Sequence, residues 1–384
     1  MEFYAPDSVR CVYVHWPFCP YKCHFCPFVA LASHDPFMAQ YHRALLAEIE
    51  AYAARYICDS PVDTIYFGGG TPSTYPNELL LETMSTLKTV FGINKNAEIT
   101  VEVNPGTVVP GQLEFWKSIG VTRLSIGVQS LNDSVLKGLN RNQSARDVFA
   151  LLEEACHIFD SLSVDLILGF PGISHDEWRA MINQVLTWPI QHISVYFLTV
   201  HEDTPLYFKV KKKEVALETD DDLVDLYTWT RHLLVEYGFE HYEVSNFAKQ
   251  GHQSRHNKVY WSRKPYKAFG LGACSFNGTS RTQNEKNLMR YIQAAEKKEC
   301  VQGSFELLTR QQIHLEKVML GLRQCTGVLC KDILDGLTYD ESLSITNRIT
   351  SLLQAGFIED KDGYLILTSK GISVENAVAC HLSL

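Results

Sequence analysis

The sequence predicts an α/β fold: a partial (β/α)6 barrel followed by a C-terminal winged-helix-like α+β module. Three observations predict it. Six strand patterns alternate with helical patterns between Cys11 and Leu198, the order of a parallel sheet with crossover helices. The residues of chemical interest fall at or near the C-terminal ends of those strands, where such barrels place their working groups. After Thr309 the pattern changes to helices followed by a hairpin. No G-x-G-x-x-G is present, so a dinucleotide fold has no support.

Cys11 to Val14 is a short apolar strand, followed by a proline-stiffened loop. Phe37 to Ile57 has apolar residues at helical spacing: Phe37, Tyr41, Leu45, Ile49, Tyr52 and Tyr56. Val62 to Phe67 is a strand that runs into Gly68-Gly69-Gly70-Thr71-Pro72. A helix over 79–91, an alternating strand over 98–103 and a helix over 111–119 follow. Then come a strand over 123–128, a helix over 147–159 and a strand over 163–168. Ser174 and Glu177 have the spacing of a capping box that opens a helix through Leu186. The sixth strand is 193–198. Lys209 to Lys213 reads as a basic run in a loop, and Thr219 to Tyr237 as a helix with acids in its first turn. Tyr242 to Ala248 leads to a loop that reaches His256, and Gly270 and Gly272 suggest close backbone packing. Asn287 to Lys298 is helical. Beyond Thr309, helices at 309–322, 332–334 and 342–355 precede a hairpin that turns at Asp362-Gly363.

The chain has 384 residues, 46% hydrophobic and 21% charged, enough for one large and one smaller domain. A net charge of -9 argues against a nucleic-acid partner. The C-terminal module gives the same answer: four basic and seven acidic residues between Lys331 and Lys370 are the wrong balance for phosphates. No apolar run approaches the roughly 20 residues of a membrane span, and Met1 to Arg10 has no signal pattern. Peripheral membrane association stays open. Eleven cysteines without a secretion signal suggest a reducing, cytoplasmic setting and metal chemistry.

Cys19, Cys23 and Cys26 form C-x3-C-x2-C in the loop after the first strand. A structural zinc site and a cubane iron–sulfur cluster each take four ligands, so three cysteines leave one metal position open. His15 and His24 are alternatives for a fourth zinc ligand, and three unrelated buried thiols are the plain alternative. The glycine run lets backbone approach a ligand closely. Glu102 ends a strand and is either a ligand group or a surface carboxylate. Asp165 sits inside an apolar strand, where it needs a partner, for example Arg141 or Arg123. His256, Tyr260 and Trp261 combine an imidazole with two flat aromatic surfaces, which serve either packing or a ligand.

Seven segments together resemble the HemN/HemW branch of the radical S-adenosylmethionine (radical SAM) proteins, across nearly the whole chain. They are the cysteine motif with Phe25 before its last cysteine, Tyr66 to Pro72, Glu102-Val103-Asn104-Pro105, and Gly127-Val128-Gln129-Ser130. The remaining three are Asp165 to Gly169, Tyr242 to Phe247, and His256-Asn257-x-x-Tyr260-Trp261. Trp16, commonly aliphatic in the branch, and Pro27, commonly polar, depart from its pattern.

The resemblance implies a [4Fe–4S] cluster on Cys19, Cys23 and Cys26, with S-adenosylmethionine on the open iron. It implies that Tyr13, Phe25, Gly69, Gly70, Thr71, Glu102, Gln129, Arg141 and Asp165 line the S-adenosylmethionine site. In the oxidases some of these contact a second S-adenosylmethionine, which leaves Phe25, Gln129, Arg141 and Asp165 less settled. The implied organisation is a radical SAM core over 1–240, an extension over 241–308 and the winged-helix-like module over 309–384.

The branch contains oxygen-independent coproporphyrinogen III oxidases and haem chaperones. The oxidases carry a further cysteine where this chain has Phe28, and an N-terminal extension for which Cys19 lies too near Met1. The H-N-x-x-Y-W segment belongs to the chaperones. The expectation is therefore a chaperone that binds haem through His256, Tyr260 and Trp261 and passes it to client haem-requiring proteins. The alternatives are an oxidase that decarboxylates porphyrinogen propionates, or a radical SAM enzyme for another substrate. No catalytic residue is assigned.

Overall fold

The computed structural model describes residues 9–56 and 60–384. The expected end of the first helix at Ile57, the Cys58 thiol and the stretch before Val9 lie outside the described residues.

Six strands run parallel and in chain order: β1 (Cys11–Trp16), β2 (Val62–Gly69), β3 (Ile93–Val103), β4 (Arg123–Gln129), β5 (Leu162–Leu168) and β6 (His192–Phe197). Each pairs with its predecessor, as Val14 with Phe67 and Glu102 with Ser125. Unbroken order of this kind is barrel topology, because a doubly wound sheet reverses at a switch point. β7 (Glu240–Glu243) and β8 (Asn246–Ala248) extend the sheet antiparallel beyond β6, and β9 (Lys267–Phe269) joins β1 in parallel. Among the described residues no pairing joins β9 to β7, so the barrel stays open.

The two faces of each strand differ. In β4, Leu124, Ile126 and Val128 enter the main apolar core, whereas Arg123, Ser125, Gly127 and Gln129 face the lumen. In β5, Val164, Leu166 and Leu168 pack outward, and Asp165 and Ile167 face inward. A closed barrel fills its interior with branched apolar side chains. Here most of the inward positions of β4 and β5 are polar or small, with Ile167 the exception, and the interior keeps room for a ligand.

Helices α1 (Met38–Ala53), α2 (Asn77–Phe91), α3 (Gln112–Ser118), α4 (Asp133–Gly138), α5 (Ala145–Ala155) and α6 (His175–Val185) cross between the strands. Ser174 and Glu177 form the expected capping box of α6. The short α4 was not expected; the Asn132 side chain caps it. The basic run is not a loop: α7 (Pro205–Lys211) takes up most of it, capped by Thr204 with Pro205 at its start. α8 (Asp220–Glu236) follows. The His256 segment is also helical, α9 (Arg255–Trp261). Seven residues are too few to show a period. Local bonds hold them instead: Ser254 caps the helix, and Glu98 accepts from the backbone amides of Arg255 and His256.

Gly270 has φ +104, and a Cβ there would lie 2.5 Å from the Tyr41 hydroxyl, so the expected close packing is real. α10 (Leu288–Glu296) and a three-stranded sheet of β10 (Cys274–Phe276), β11 (Ser280–Asn284) and β12 (Gln302–Leu307) precede the C-terminal elements. These are α11 (Arg310–Arg323), β13 (Val328–Leu329), α12 (Cys330–Leu334), α13 (Tyr339–Gln354), β14 (Ile358–Lys361), β15 (Tyr364–Leu367), α14 (Ser369–Ile372) and α15 (Glu375–His381). Asp362 and Gly363 both have positive φ, 54° and 84°, as the tight hairpin turn requires. Val318, Leu322, Ile333, Ile345, Ile349 and Leu365 belong to an apolar cluster of this region alone.

Arg323, at the end of α11, joins this region to the sheet. It pairs with the fully buried Glu243 at 2.7 Å and donates to Ser245 Oγ at 2.9 Å. Its guanidinium also covers the Trp261 ring at 4.6 Å. Among the described residues no helix is long and apolar enough to cross a membrane.

Candidate functional site

A cavity of about 430 Å³ opens at the C-terminal ends of β1 to β6. The structure brings Cys19, Cys23, Cys26, Phe25, Gly69, Gly70, Glu102, Gln129, Arg141 and Asp165 to its wall. Tyr13 and Thr71 stand just behind the wall. Tyr13 is stacked on the cavity residue Tyr66 with centroids 6.1 Å apart, and Thr71 donates to Cys19 Sγ at 3.2 Å.

The cysteine loop is pinned from several sides. The His24 amide donates to the Leu139 carbonyl, the Leu206 amide to the His24 carbonyl, and the Asn140 side chain to the Lys22 carbonyl. Phe25 packs on Phe170 at 5.0 Å. The glycine run fits against the start of this loop. The amides of Gly70 and Thr71 donate to the carbonyls of Trp16 and Phe18. A Cβ on Gly70 would lie 2.6 Å from the Pro17 oxygen, so glycine is required there. Trp16 is stacked on Tyr75 at 3.8 Å and so serves the core.

Burial pushes the Cys19 thiol up to about 11 and raises that of Cys26. A metal bound there would draw off their protons. Arg141 Nη1 lies 3.8 Å from Cys23 Sγ. Among the described residues, no three His, Cys, Asp or Glu side chains converge on a point that would hold a single ion. A cubane has no such requirement, since each cysteine binds a different iron. His15 is no fourth ligand: its Nδ1 meets the Tyr13 hydroxyl at 3.1 Å and its Nε2 the Val29 carbonyl at 2.8 Å. His24 is not part of the cavity wall.

Glu102 accepts from the Tyr66 hydroxyl at 2.9 Å and the Gly69 amide at 3.1 Å. Burial raises its carboxyl to about 7, against the pull of those two donors. Asp165 is likewise pushed up by burial; Ser125 donates to it at 3.1 Å. Neither Arg141 nor Arg123 forms an ion pair with Asp165 among the described residues, contrary to one expectation. Arg141 is spent on Asn104 Oδ1 and the Gly127 carbonyl, and its Nε on Gln143. Gln129 has φ 64, a left-handed backbone for a non-glycine residue at a strand end.

The structure corrects the expectation for the α9 segment. His256 is buried on the inner face of the sheet, its ring 4.9 Å from that of the cavity residue Tyr66. Its Nδ1 is 3.0 Å from Thr64 Oγ1 and 3.3 Å from Cys11 Sγ, and its Nε2 is 2.7 Å from the Tyr260 hydroxyl. Both nitrogens are engaged by protein groups, so His256 as placed offers iron no free donor. Tyr260 stands edge-on to His256 and Tyr266, and Trp261 lies under Arg323. None of the three lines the cavity; Asn257 does.

Sequence reading missed Tyr196, Phe197 and His201 and gave Asn257 and Arg123 no place in the site beyond a motif and a candidate ion pair; all five line the cavity. Arg123 carried a signal, a guanidinium at an inward position of a buried strand, and its Nε is buried without a hydrogen-bond partner. Tyr196 and Phe197 are two aromatics at the end of the sixth strand.

Comparison with known proteins gives the family. The family model of the radical SAM superfamily matches residues 13–185. A heme chaperone HemW of Bacillus subtilis is 32% identical over 96% of this chain and 98% of its own length. A mitochondrial radical S-adenosyl methionine domain-containing protein 1 of Bos taurus is 34% identical over 70% of this chain and 61% of its own. The structure of coproporphyrinogen III oxidase (HemN) from Escherichia coli superposes with a TM-score of 0.84. It covers 98% of this chain and 90% of the oxidase at 24% identity, a likeness of fold. Fold, motifs and relatives agree, and this chain belongs to the HemN/HemW family of radical SAM proteins.

Proposed function

We propose that the protein is a radical SAM haem chaperone: it holds a [4Fe–4S] cluster and S-adenosylmethionine, binds haem and delivers it to client haem-requiring proteins. The observation that carries the first half is one cavity that presents three thiols outside any disulfide beside buried carboxylates with bonding capacity to spare. In this reading Cys19, Cys23 and Cys26 hold the cluster. Thr71 and Arg141 donate to two of the three sulfurs. Hydrogen bonds of this kind favour the thiolate form. Gly69 and Gly70 give backbone access to the methionine end of the cofactor, and Glu102 takes its ammonium. Tyr13, Phe25, Gln129, Arg141 and Asp165 complete the wall. The cluster and S-adenosylmethionine, when bound, supply one-electron chemistry.

The haem half rests on the relatives named heme chaperone HemW and on Phe28. That residue is apolar where the oxidases have their extra cysteine. Residues 1–240 form the core in this reading, 241–308 the extension and 309–384 the winged-helix-like unit.

Anaerobic reconstitution followed by a haem titration and a coproporphyrinogen turnover assay on one sample tests the whole reading. We expect stoichiometric haem and no turnover. Turnover without haem binding would make the protein an oxidase.

A further inference from the structure

We propose that haem sits at the mouth of the cavity, against Phe28, Tyr196 and Phe197, with His201 as its axial ligand. This rests on the haem-binding reading above and gives it a place.

Haem asks three things of a protein: flat apolar contact, a donor for the iron, and a cation near its propionates. The cavity mouth has all three. Phe28 is 64% exposed, Tyr196 39% and Phe197 38%, and all three line this cavity. Large aromatics left open on the rim of one cavity mark a binding surface. Tyr196 shares the inward side of β6 with Ser194, so its ring faces the cavity. Phe197 is backed by Tyr227 at 5.3 Å, which holds its ring in place.

Of the chain's 14 histidines, His201 is the one in the cavity wall. Its imidazole has no hydrogen-bond partner among the described residues. Its carbonyl, by contrast, accepts from the Thr204 amide at 3.0 Å and the Thr204 hydroxyl at 2.6 Å. The backbone is thus fixed at the start of α7 while the ring nitrogens stay available. Lys22 on the same wall provides the cation. The Leu206 amide, bonded to the His24 carbonyl at 3.0 Å, ties this loop to the cysteine loop.

The test uses full-length reconstituted protein titrated with ferric haem and, separately, with metal-free protoporphyrin. Absorption and magnetic circular dichroism follow the iron ligation. His201→Ala should abolish the imidazole signature and weaken haem binding by about tenfold or more. It should leave protoporphyrin affinity and cluster iron unchanged, and free imidazole should restore the signature. Phe28→Ser should weaken both haem and protoporphyrin, because aromatic contact does not need the iron. An unchanged haem spectrum in His201→Ala would overturn the assignment of the ligand. Unchanged affinities in Phe28→Ser would overturn that of the surface. A wild-type protein that binds no haem at all would instead remove the reading on which both stand.

Discussion

The cysteine loop and the helix that carries His256 hold the two conspicuous polar motifs of the chain, and they are built in opposite ways. At the loop, Cys19 has one hydroxyl donor and Cys23 a guanidinium 3.8 Å away. All three sulfurs line a cavity. At the helix, both nitrogens of His256 are engaged by Thr64, Cys11 and Tyr260, and its amide by Glu98. One motif keeps its bonding capacity for something that arrives; the other has spent it on the fold. Since buried polar atoms are normally paired, the informative groups are those left open on a cavity.

Substitution separates the two most sharply at the cysteines. Serine at Cys19, Cys23 and Cys26 should take the reconstituted iron from about four per chain to almost none. Stability of the cluster-free chain should change by less than about 1 kcal/mol, because the thiols make so few bonds. Iron analysis beside thermal unfolding of the apo form checks both. Loss of fold in the apo variants would break the contrast.

Arg323 should behave as a spent group. Its removal in Arg323→Ala leaves the carboxylate of Glu243 buried without its counter-charge, which costs about 3–5 kcal/mol. Burial already raises the Glu243 pKa against the pull of Arg323. Without the arginine the carboxyl rises further, so the folded state keeps a proton that the unfolded state gives up. The loss should then grow as pH rises above the ordinary glutamate range, and urea unfolding at pH 5 and pH 8 would show it.

His256→Ala should cost roughly 2–4 kcal/mol, since it leaves the hydroxyls of Thr64 and Tyr260 without their shared partner. Cluster iron and the haem spectrum should stay as in the wild type. A changed haem spectrum in correctly folded variant protein would return His256 to the ligand set.

The smallest effect is a pH dependence at Glu102. The groups that face it are Tyr66, the Gly69 amide, Asp165 and Arg123. With its carboxyl held near 7, S-adenosylmethionine should bind more tightly as pH rises towards 7, by at most about tenfold per unit, and level off above. Stability of the apo form runs the other way: the raised pKa makes it fall between the ordinary carboxylate range and about 7. Glu102→Gln should flatten both profiles, as calorimetric titration and thermal melts would show.

The sequence by itself determined the order of strands and helices, because period-2 and period-3.6 patterns are local. It determined the chemistry of the cysteine loop, since three thiols within eight residues are close whatever the fold does. It also placed Glu102 and Gln129 at strand ends and Asp165 inside a neighbouring strand, and parallel strands in chain order bring them together. Tertiary structure alone decided which side of a motif faces the ligand. His256 and Asn257 are neighbours, yet one is sealed in the interior and the other lines the cavity, because a seven-residue helix docks on one face only. The same holds for Arg123, Tyr196 and His201. What makes them candidates is an unfilled bond or an exposed ring. That depends on which partners the rest of the chain brings within reach, and no spacing in the sequence records it.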